Sequence, residues 1–533
     1  MKKLSSDVVI IGTGGAGMTA ALEAADQGVD VLVVGKATLG RGTCTSYAAG
    51  FFTSSSLKFS SEQHHKSTLD VGRSINELPL VELVTQRGKE CLERLKGRGI
   101  GLLPMDNGYR VDSRGNDKLI PGYPLVTSMG HALDKQGVKS LPGFHCLELI
   151  KEDGVITGVL GVTADGPAVI SAPSVILATG GAGAIYLRND NPVGISGDGY
   201  AMALRAGCRL RDMEFVQFYP IGFAEPGMAA NLVLPPFPDA AKVYDAKGRN
   251  AFDGLENCNT IAEAISLFRD TASIFFYRKH LEGGLFLDLT GVDDALWQKM
   301  HSLRLLAKKK FDFRAKWLRI APIAHFFIGG VEINTEMETT LPGLFAIGEV
   351  TGGFHGANRM GGNALTECIV SGTIAGRNAA LLAKGRGPVE ASESNVKDRN
   401  PEWAGQKGRG ARSEFGRLFN RVKKTAWEQA GIIRDLEGMQ KGLELVSMME
   451  DELRALNPGN ITEGLRANRT GSALLTLRCI LRAGIMRKES RGALYREDYP
   501  ETDDANWLRN IFISLDRNRD DLILEDRNGD RMD

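Results

Sequence analysis

Asp7-Val-Val-Ile-Ile-Gly12-Thr-Gly14-Gly15-Ala16-Gly17-Met18 is the stretch that decides the fold. A short β-branched run without polar alternation reads as a strand buried on both faces, as in a parallel sheet. Glycines follow it at once, and an alanine-rich helix then runs to Gln27 and stops at Gly28. Residues 29–34 are a second buried strand, which completes a βαβ unit. In that setting the glycines have a physical task. They let the backbone approach a pyrophosphate, which rests on the helix N-terminus where unpaired N–H groups and the helix dipole favour negative charge. An acidic residue is expected at the end of the second strand to hold ribose hydroxyls, but the sequence there is Gly35-Lys36.

Further out, Val175-Ile-Leu-Ala178 is another buried strand, ending in Thr179-Gly180-Gly-Ala-Gly183, and Gly343-Leu-Phe-Ala-Ile-Gly348 is a fourth, ahead of Glu349. Their wide separation predicts a discontinuous nucleotide-binding domain. At 533 residues the chain exceeds one hydrophobic core, so several domains are expected. The reading is α/β: a Rossmann-like domain over residues 1–220 and 321–384, with an α+β capping domain inserted at 221–320. A C-terminal helical bundle with its tail fills 385–533. Residues 384–421, rich in Gly, Arg, Glu and Asn, read as an exposed connection. Ile432, Leu436, Met439, Leu443 and Val446 fall at helical spacing, as do Leu474, Leu477, Leu481 and Ile485.

Composition removes several function classes. With 65 basic and 65 acidic residues, the chain has no cationic footprint for nucleic acid. Its seven cysteines are scattered without a CxxC pair, so no iron–sulfur cluster, zinc knot or haem attachment is encoded. No apolar run reaches the roughly 18 residues of a membrane span, and no secretory segment precedes the first strand, so a cytoplasmic location is expected. His64 and His65 lack a third ligand nearby and read as structural rather than metal-binding. Asp516-Arg-Asn-Arg-Asp520 resembles the start of a calcium loop but lacks its later glycine and glutamate, and reads as a solvated tail.

Taken together, the motifs resemble the flavoprotein family of succinate dehydrogenase, fumarate reductase and L-aspartate oxidase, over nearly the whole chain. They include the Gly12–Gly17 fingerprint, Thr43-Cys-Thr-Ser-Tyr-Ala-Ala-Gly50, Gly197-Asp-Gly199, Met213-Glu-Phe-Val-Gln-Phe218, Arg269-Asp270, His325 with Gly329-Gly330, and Glu489-Ser-Arg-Gly492. The most specific is His355-Gly-Ala-Asn-Arg-Met-Gly-Gly-Asn-Ala-Leu365. The resemblance implies an FAD site built from Gly12, Gly14, Gly15, Ala16, Gly17, Lys36, Thr43, Cys44, Thr45, Ala49, Gly50, Ala178, Thr179, Gly180, Asp198, Gly348, Glu349, Asn363, Ala364 and Leu365. Glu349 is the acid that would hold the ribose. The resemblance also implies that Arg359 clamps a substrate carboxylate, that His325 helps bind and polarise it, and that Arg269 delivers or removes a proton while flavin N5 exchanges hydride with the neighbouring carbon. Family members often lack the acid after the second strand, which accounts for Lys36.

Three departures shape the expected chemistry. Cys44 stands where succinate dehydrogenases and fumarate reductases carry the histidine that bonds FAD covalently, so the FAD is expected to be non-covalent. Tyr219 replaces a histidine, and it keeps a hydrogen-bonding group without a charge at neutral pH. A Thr-Glu pair and an Arg-Gly-Glu-Gly segment are replaced by residues 227–238 with the run Val233-Leu-Pro-Pro-Phe237. In dicarboxylate enzymes those missing groups hold the second carboxylate and relay protons. The expected reaction therefore interconverts saturated and α,β-unsaturated, mostly monocarboxylic acids, with Arg269, His325, Arg359 and Tyr219 around the substrate. Electrons would be exchanged with a separate carrier such as an iron–sulfur protein, since this chain encodes no second redox centre. Two rivals are an amino acid oxidase like L-aspartate oxidase, and a degenerate flavin protein serving electron transfer.

Overall fold

The computed structural model describes every residue except 114–119, 227–239, 267, 300–313, 391–402, 404–411, 517, 528 and 533. Five parallel strands form the central sheet in the order Leu344–Ala346, Ser174–Leu177, Val8–Ile11, Val31–Gly35, Lys139–Pro142. The strand read first from the sequence thus lies at the middle, and all four of its residues are buried. The helix Gly15–Asp26 follows it and packs closely on the long helix Asn363–Arg386. Their approach is close because Gly376 faces Ala20: a Cβ there would lie 2.3 Å from the Ala20 carbonyl oxygen. A second sheet, Lys2–Ser5, Gly166–Ser171, Val155–Thr163 and His145–Glu152, lies beyond what the sequence patterns predict.

The insertion has its own antiparallel sheet, ordered Val216–Phe223, Leu318–Phe327, Leu285–Asp288, Lys242–Asp245, and its own core including Ile221, Phe223, Val243, Leu287 and Ile320. The expected limits at 221 and 320 fall inside two of these strands, because strands that begin beside the nucleotide-binding domain run on into the insertion. The helix Arg269–Leu281 packs across the sheet.

Three long helices of the C-terminal part among the described residues, Arg412–Gln429, Leu436–Ala455 and Ile461–Met486, pack on one another. Two expectations are corrected here. The stretch expected to be an exposed connection contributes its ends to helices, since Asn363–Arg386 reaches past residue 384 and Arg412–Gln429 begins before 421. The charged run at 516–520 is also no free tail. Its residues 518–520 are exposed as expected, but it is flanked by the strands of a hairpin, Phe512–Asp516 with Asp521–Glu525, which pairs with Leu210–Arg211 and so joins a sheet with Gly330–Val331. Ile513, Leu522 and Leu524 are buried in the main core, and that burial holds the hairpin in place despite its charged turn. No described helix is long and apolar enough to cross a membrane.

Candidate active site

Because the central sheet is parallel, the carboxyl ends of its strands open on one edge, where ligands bind in folds of this kind. Gly12 leaves its strand at φ 129°, and a Cβ there would lie 2.0 Å from the Ala178 carbonyl oxygen; one on Gly17 would lie 2.2 Å from the Gly12 oxygen. Only glycine fits either place. Gly14 begins the helix without a side-chain cap, and the Gly15 N–H donates to Thr45 Oγ1 at 3.0 Å. Ala16 continues the turn, so the fingerprint presents uncapped N–H groups where a diphosphate would rest.

The other expected cofactor residues gather at the same edge. Thr43 caps the short helix Cys44–Tyr47, accepting from the Ser46 N–H, and Ala49 and Gly50 lead out of it. Ala178, Thr179 and Gly180 end the strand Ser174–Leu177, and the Thr179 hydroxyl is buried without a partner in the protein. Lys36 and Asp198 form an ion pair, and Lys36 also donates to the Gly194 carbonyl, so the lysine ties the second strand to the start of Asp198–Ala206. Asn363, Ala364 and Leu365 open Asn363–Arg386, which again has no side-chain cap. The Asn363 side chain is committed elsewhere, to His64 at 2.7 Å and Thr68 at 3.0 Å, so only its backbone can serve a cofactor. His64 is thereby a structural support for this helix start.

Gly348 and Glu349 lie in a turn after Leu344–Ala346. The Glu349 carboxylate accepts from the Phe327 N–H at 3.0 Å, and burial pushes its carboxyl up to about 7. An acid so placed, with a partnerless threonine hydroxyl and an uncapped glycine turn, fits a dinucleotide whose ribose hydroxyls donate to the carboxylate. Cys44 donates to Asn191 Oδ1 at 3.2 Å, and burial pushes its thiol well up, which keeps it in the poorly nucleophilic protonated form.

Glu349 carries a testable linkage. Its folded value of about 7 lies above its ordinary 4.5, so FAD-free folded protein binds the proton more tightly than unfolded chain does. The group's contribution is full below pH 4.5 and is lost as pH rises through 7, a swing of about 3 kcal/mol. FAD-free wild type should accordingly lose more urea resistance than Glu349→Gln between pH 4.5 and 8; parallel losses would refute the assignment.

The residues expected at the substrate converge from different elements. His325 comes from the insertion strand Leu318–Phe327, Tyr219 from the neighbouring strand Val216–Phe223, Arg269 from the first turn of Arg269–Leu281, and Arg359 from the loop before Asn363–Arg386. The Tyr219 ring lies 5.5 Å from the His325 ring and 5.4 Å from the Arg269 guanidinium. The Arg359 guanidinium lies 4.5 Å from the Phe326 ring centre. Gln217 connects the two arginines: its Oε1 accepts from Arg269 Nη1 at 3.2 Å, and its Nε2 donates to the Arg359 carbonyl at 2.9 Å and to Asn358 Oδ1 at 2.7 Å.

The electrostatics of this cluster point to an anion. Among the described residues neither Arg269 nor Arg359 is ion-paired, although Arg359 is only 7% exposed and its Nε is buried without a partner. Burial, then repulsion from Arg269, lowers Arg359 to about 9; burial lowers Arg269 also. A buried and a half-buried guanidinium group without ion-pair partners among the described residues cost free energy until an anion enters. Burial likewise lowers His325, opposed by Asp190, whose Oδ2 lies 2.7 Å from His325 Nδ1. Asp190 and Asn191, outside the sequence motifs, and Gln217, inside one but without an expected role, are neighbours of this cluster. Residues 227–238, expected to line the distal half of the site, lie outside the described residues.

A parallel sheet with a glycine-lined dinucleotide cradle at one edge defines a nucleotide-cofactor enzyme. The FAD binding domain family matches residues 7–365 and the fumarate reductase flavoprotein C-terminal family residues 419–530, so the chain belongs to the fumarate reductase and succinate dehydrogenase family of FAD-dependent oxidoreductases. It is 29% identical to a fumarate reductase (CoM/CoB) polypeptide of Methanothermobacter marburgensis, over 95% of this chain and 97% of that one. It is 28% identical to L-aspartate oxidase of Streptomyces coelicolor, over 97% and 92%. Among solved structures, the FrdA chain of a mutated E. coli quinol fumarate reductase superposes with a TM-score of 0.86 at 26% identity, over 99% and 97%. The cofactor is FAD.

Proposed function

We propose that the protein interconverts saturated and α,β-unsaturated carboxylic acids, with a mostly monocarboxylic substrate bearing an apolar or aromatic tail, and exchanges electrons with a separate redox protein such as an iron–sulfur protein. The observation that carries this reading is the pair of guanidinium groups, buried at Arg359 and half-buried at Arg269, that have no ion-pair partner among the described residues and lie beside His325 and the uncharged Tyr219 ring. Arg359 offers the planar fork that suits a carboxylate. His325, its Nδ1 turned to Asp190, has Nε2 available to polarise the same group. Arg269 stands on the proton side of the reaction, and the burial that lowers it makes it a better donor than a free guanidinium. Bound FAD supplies the two-electron redox step. FAD without a covalent bond agrees with the half-buried Cys44, whose thiol is held in its protonated form, and acid precipitation should release the yellow colour to the supernatant; flavin retained on a Cys44 peptide would contradict it.

Substrate shape is read by reoxidation. Tyr219 can donate a hydrogen bond but brings no cation for a second carboxylate, the run Val233-Leu-Pro-Pro-Phe237 carries no charged side chain, and a buried charge without a counter-charge costs several kcal/mol. An apolar tail instead gains roughly 25 cal/mol for each Å² removed from water. In anaerobic stopped flow a cinnamate-type enoate should reoxidise the reduced protein faster than fumarate at equal concentration. Fumarate faster by tenfold or more would overturn the monocarboxylate reading. Hydrogen peroxide formed with an amino acid would favour oxidase chemistry instead.

A further inference from the structure

Asp190 belongs to none of the sequence motifs, yet it faces the whole substrate cluster. Its Oδ2 lies 2.7 Å from His325 Nδ1, and its side chain is only 11% exposed. Its charge also acts on Arg269, Arg359 and Tyr219. The segment that carries it is fastened along the His325 strand. Ala324 N donates to the Arg188 carbonyl at 2.9 Å, Asp190 N to the Ala324 carbonyl at 3.3 Å, and Asn191 Nδ2 to both Asp190 Oδ1 and the His325 carbonyl at 3.1 Å. The carboxylate is thus held to the strand that bears the histidine.

Taking the carboxylic acid reading above as its basis, we propose that Asp190 sets the charge of the acid this site accepts: it holds His325 by Nδ1–H, leaving Nε2 for the substrate, and it cancels one of the two arginine charges, so that the cluster prefers a monoanion to a dianion. A carboxylate accepts only, so the contact fixes the Nδ1–H tautomer. With Arg269 and Arg359 without ion-pair partners among the described residues and Asp190 the acid bonded to the histidine, neutral His325 leaves one net positive charge across these four side chains, matched by one carboxylate; Glu349 and Asp270, whose charges act on Arg359 and Arg269, lower the positive field further. A second carboxylate would meet Asp190 without a cation left to balance it, and like charges in a desolvated site repel strongly. Asp190 is a positioning and specificity residue, since it acts on the substrate through His325 and through the field it sets at the arginines.

The test uses FAD-loaded protein and equilibrium binding, so it needs no turnover. Benzoate and succinate serve as monoanion and dianion probes, read by perturbation of the flavin spectrum at pH 7.5. Asp190→Asn keeps the shape and an acceptor for Nδ1–H but loses the charge; it should shift the Kd ratio at least tenfold towards succinate, whereas Asp190→Glu should keep the wild-type preference. Asp190→Ser is a second neutral variant, with the same shift expected. A ratio within twofold of wild type in both neutral variants overturns the proposal, as does failure of both to hold FAD or failure of either acid to perturb the wild-type flavin. If wild type binds benzoate but reduces no enoate, the reaction assigned above fails while the charge preference is still measured.

Discussion

Arg269→Gln should lower kcat by a hundredfold or more while leaving FAD content at the wild-type level. Arg269 touches no residue of the glycine cradle; its contacts are the Ile265 carbonyl at 3.1 Å, Gln217 Oε1 at 3.2 Å and the Tyr219 ring. Its loss therefore leaves the cofactor edge as it was and removes one cation from the substrate side. Losing one preorganised charge that acts mainly in the transition state costs on the order of 3 kcal/mol or more, which is at least two powers of ten in rate. Glutamine keeps a polar side chain beside Gln217 but brings neither the charge nor a transferable proton. Flavin absorbance per polypeptide and single-turnover rates on the same sample separate the two effects. A fall of less than tenfold would remove Arg269 from the proton side of the reaction.

Arg487→Ala should destabilise the fold by about 3–5 kcal/mol, the cost of stranding buried charge. Arg487 is wholly buried where the long C-terminal helix ends. It donates to Glu214 at 2.7 Å, to Glu489 at 2.9 Å and to the carbonyls of Trp507 and Arg509 at 2.9 and 2.8 Å. Glu214 and Glu489 are themselves fully buried, and Glu489 also binds Arg491. Truncation would leave Glu214 without its ion-pair partner and two carbonyls without donors, where water cannot readily replace them. Burial already pushes Glu214 upward against the pull of Arg487, so the acid would protonate and the network would break around it. The double change Glu214→Met with Arg487→Met removes both charges and should cost less than the sum of the single changes, as isosteric apolar replacement of a buried pair does. Urea unfolding of the single and double variants measures this. An Arg487→Ala loss below 1 kcal/mol would mean that water already shares the network.

The parts of the molecule read most readily from sequence are those whose cause is local. Gly12 and Gly17 have an immediate steric reason to be glycine, and the buried strand before them has a run of four apolar residues, so the cradle shows itself within a dozen positions. The helices after residue 432 show themselves through their apolar spacing. Asp190 and Gln217 could not be read in this way, since their meaning comes from partners 135 and 52 positions away. Lys36 looked like a missing acid because sequence cannot reveal that Asp198 answers it from 162 positions further on. The hairpin after 511 was hidden for the opposite reason: its turn is so charged that composition outweighed the alternation of Ile513, Leu522 and Leu524 beside it.

That hairpin has a consequence for how the molecule is made. Leu210–Arg211 leads into the insertion and Gly330–Val331 leads out of it, and the two pair with each other. The other side of Leu210–Arg211 is covered by Phe512–Asp516, about three hundred residues later in synthesis. At the ordinary pace of translation, roughly 5–20 residues per second, the root of the insertion waits on the order of 15–60 s for its neighbour. The glycine cradle and the helix Asn363–Arg386 leave the ribosome well before then. A nascent chain can thus complete its nucleotide pocket while the domain carrying Arg269 and His325 is still fastened on one side only, and the second stitch comes from a strand translated about three hundred residues later.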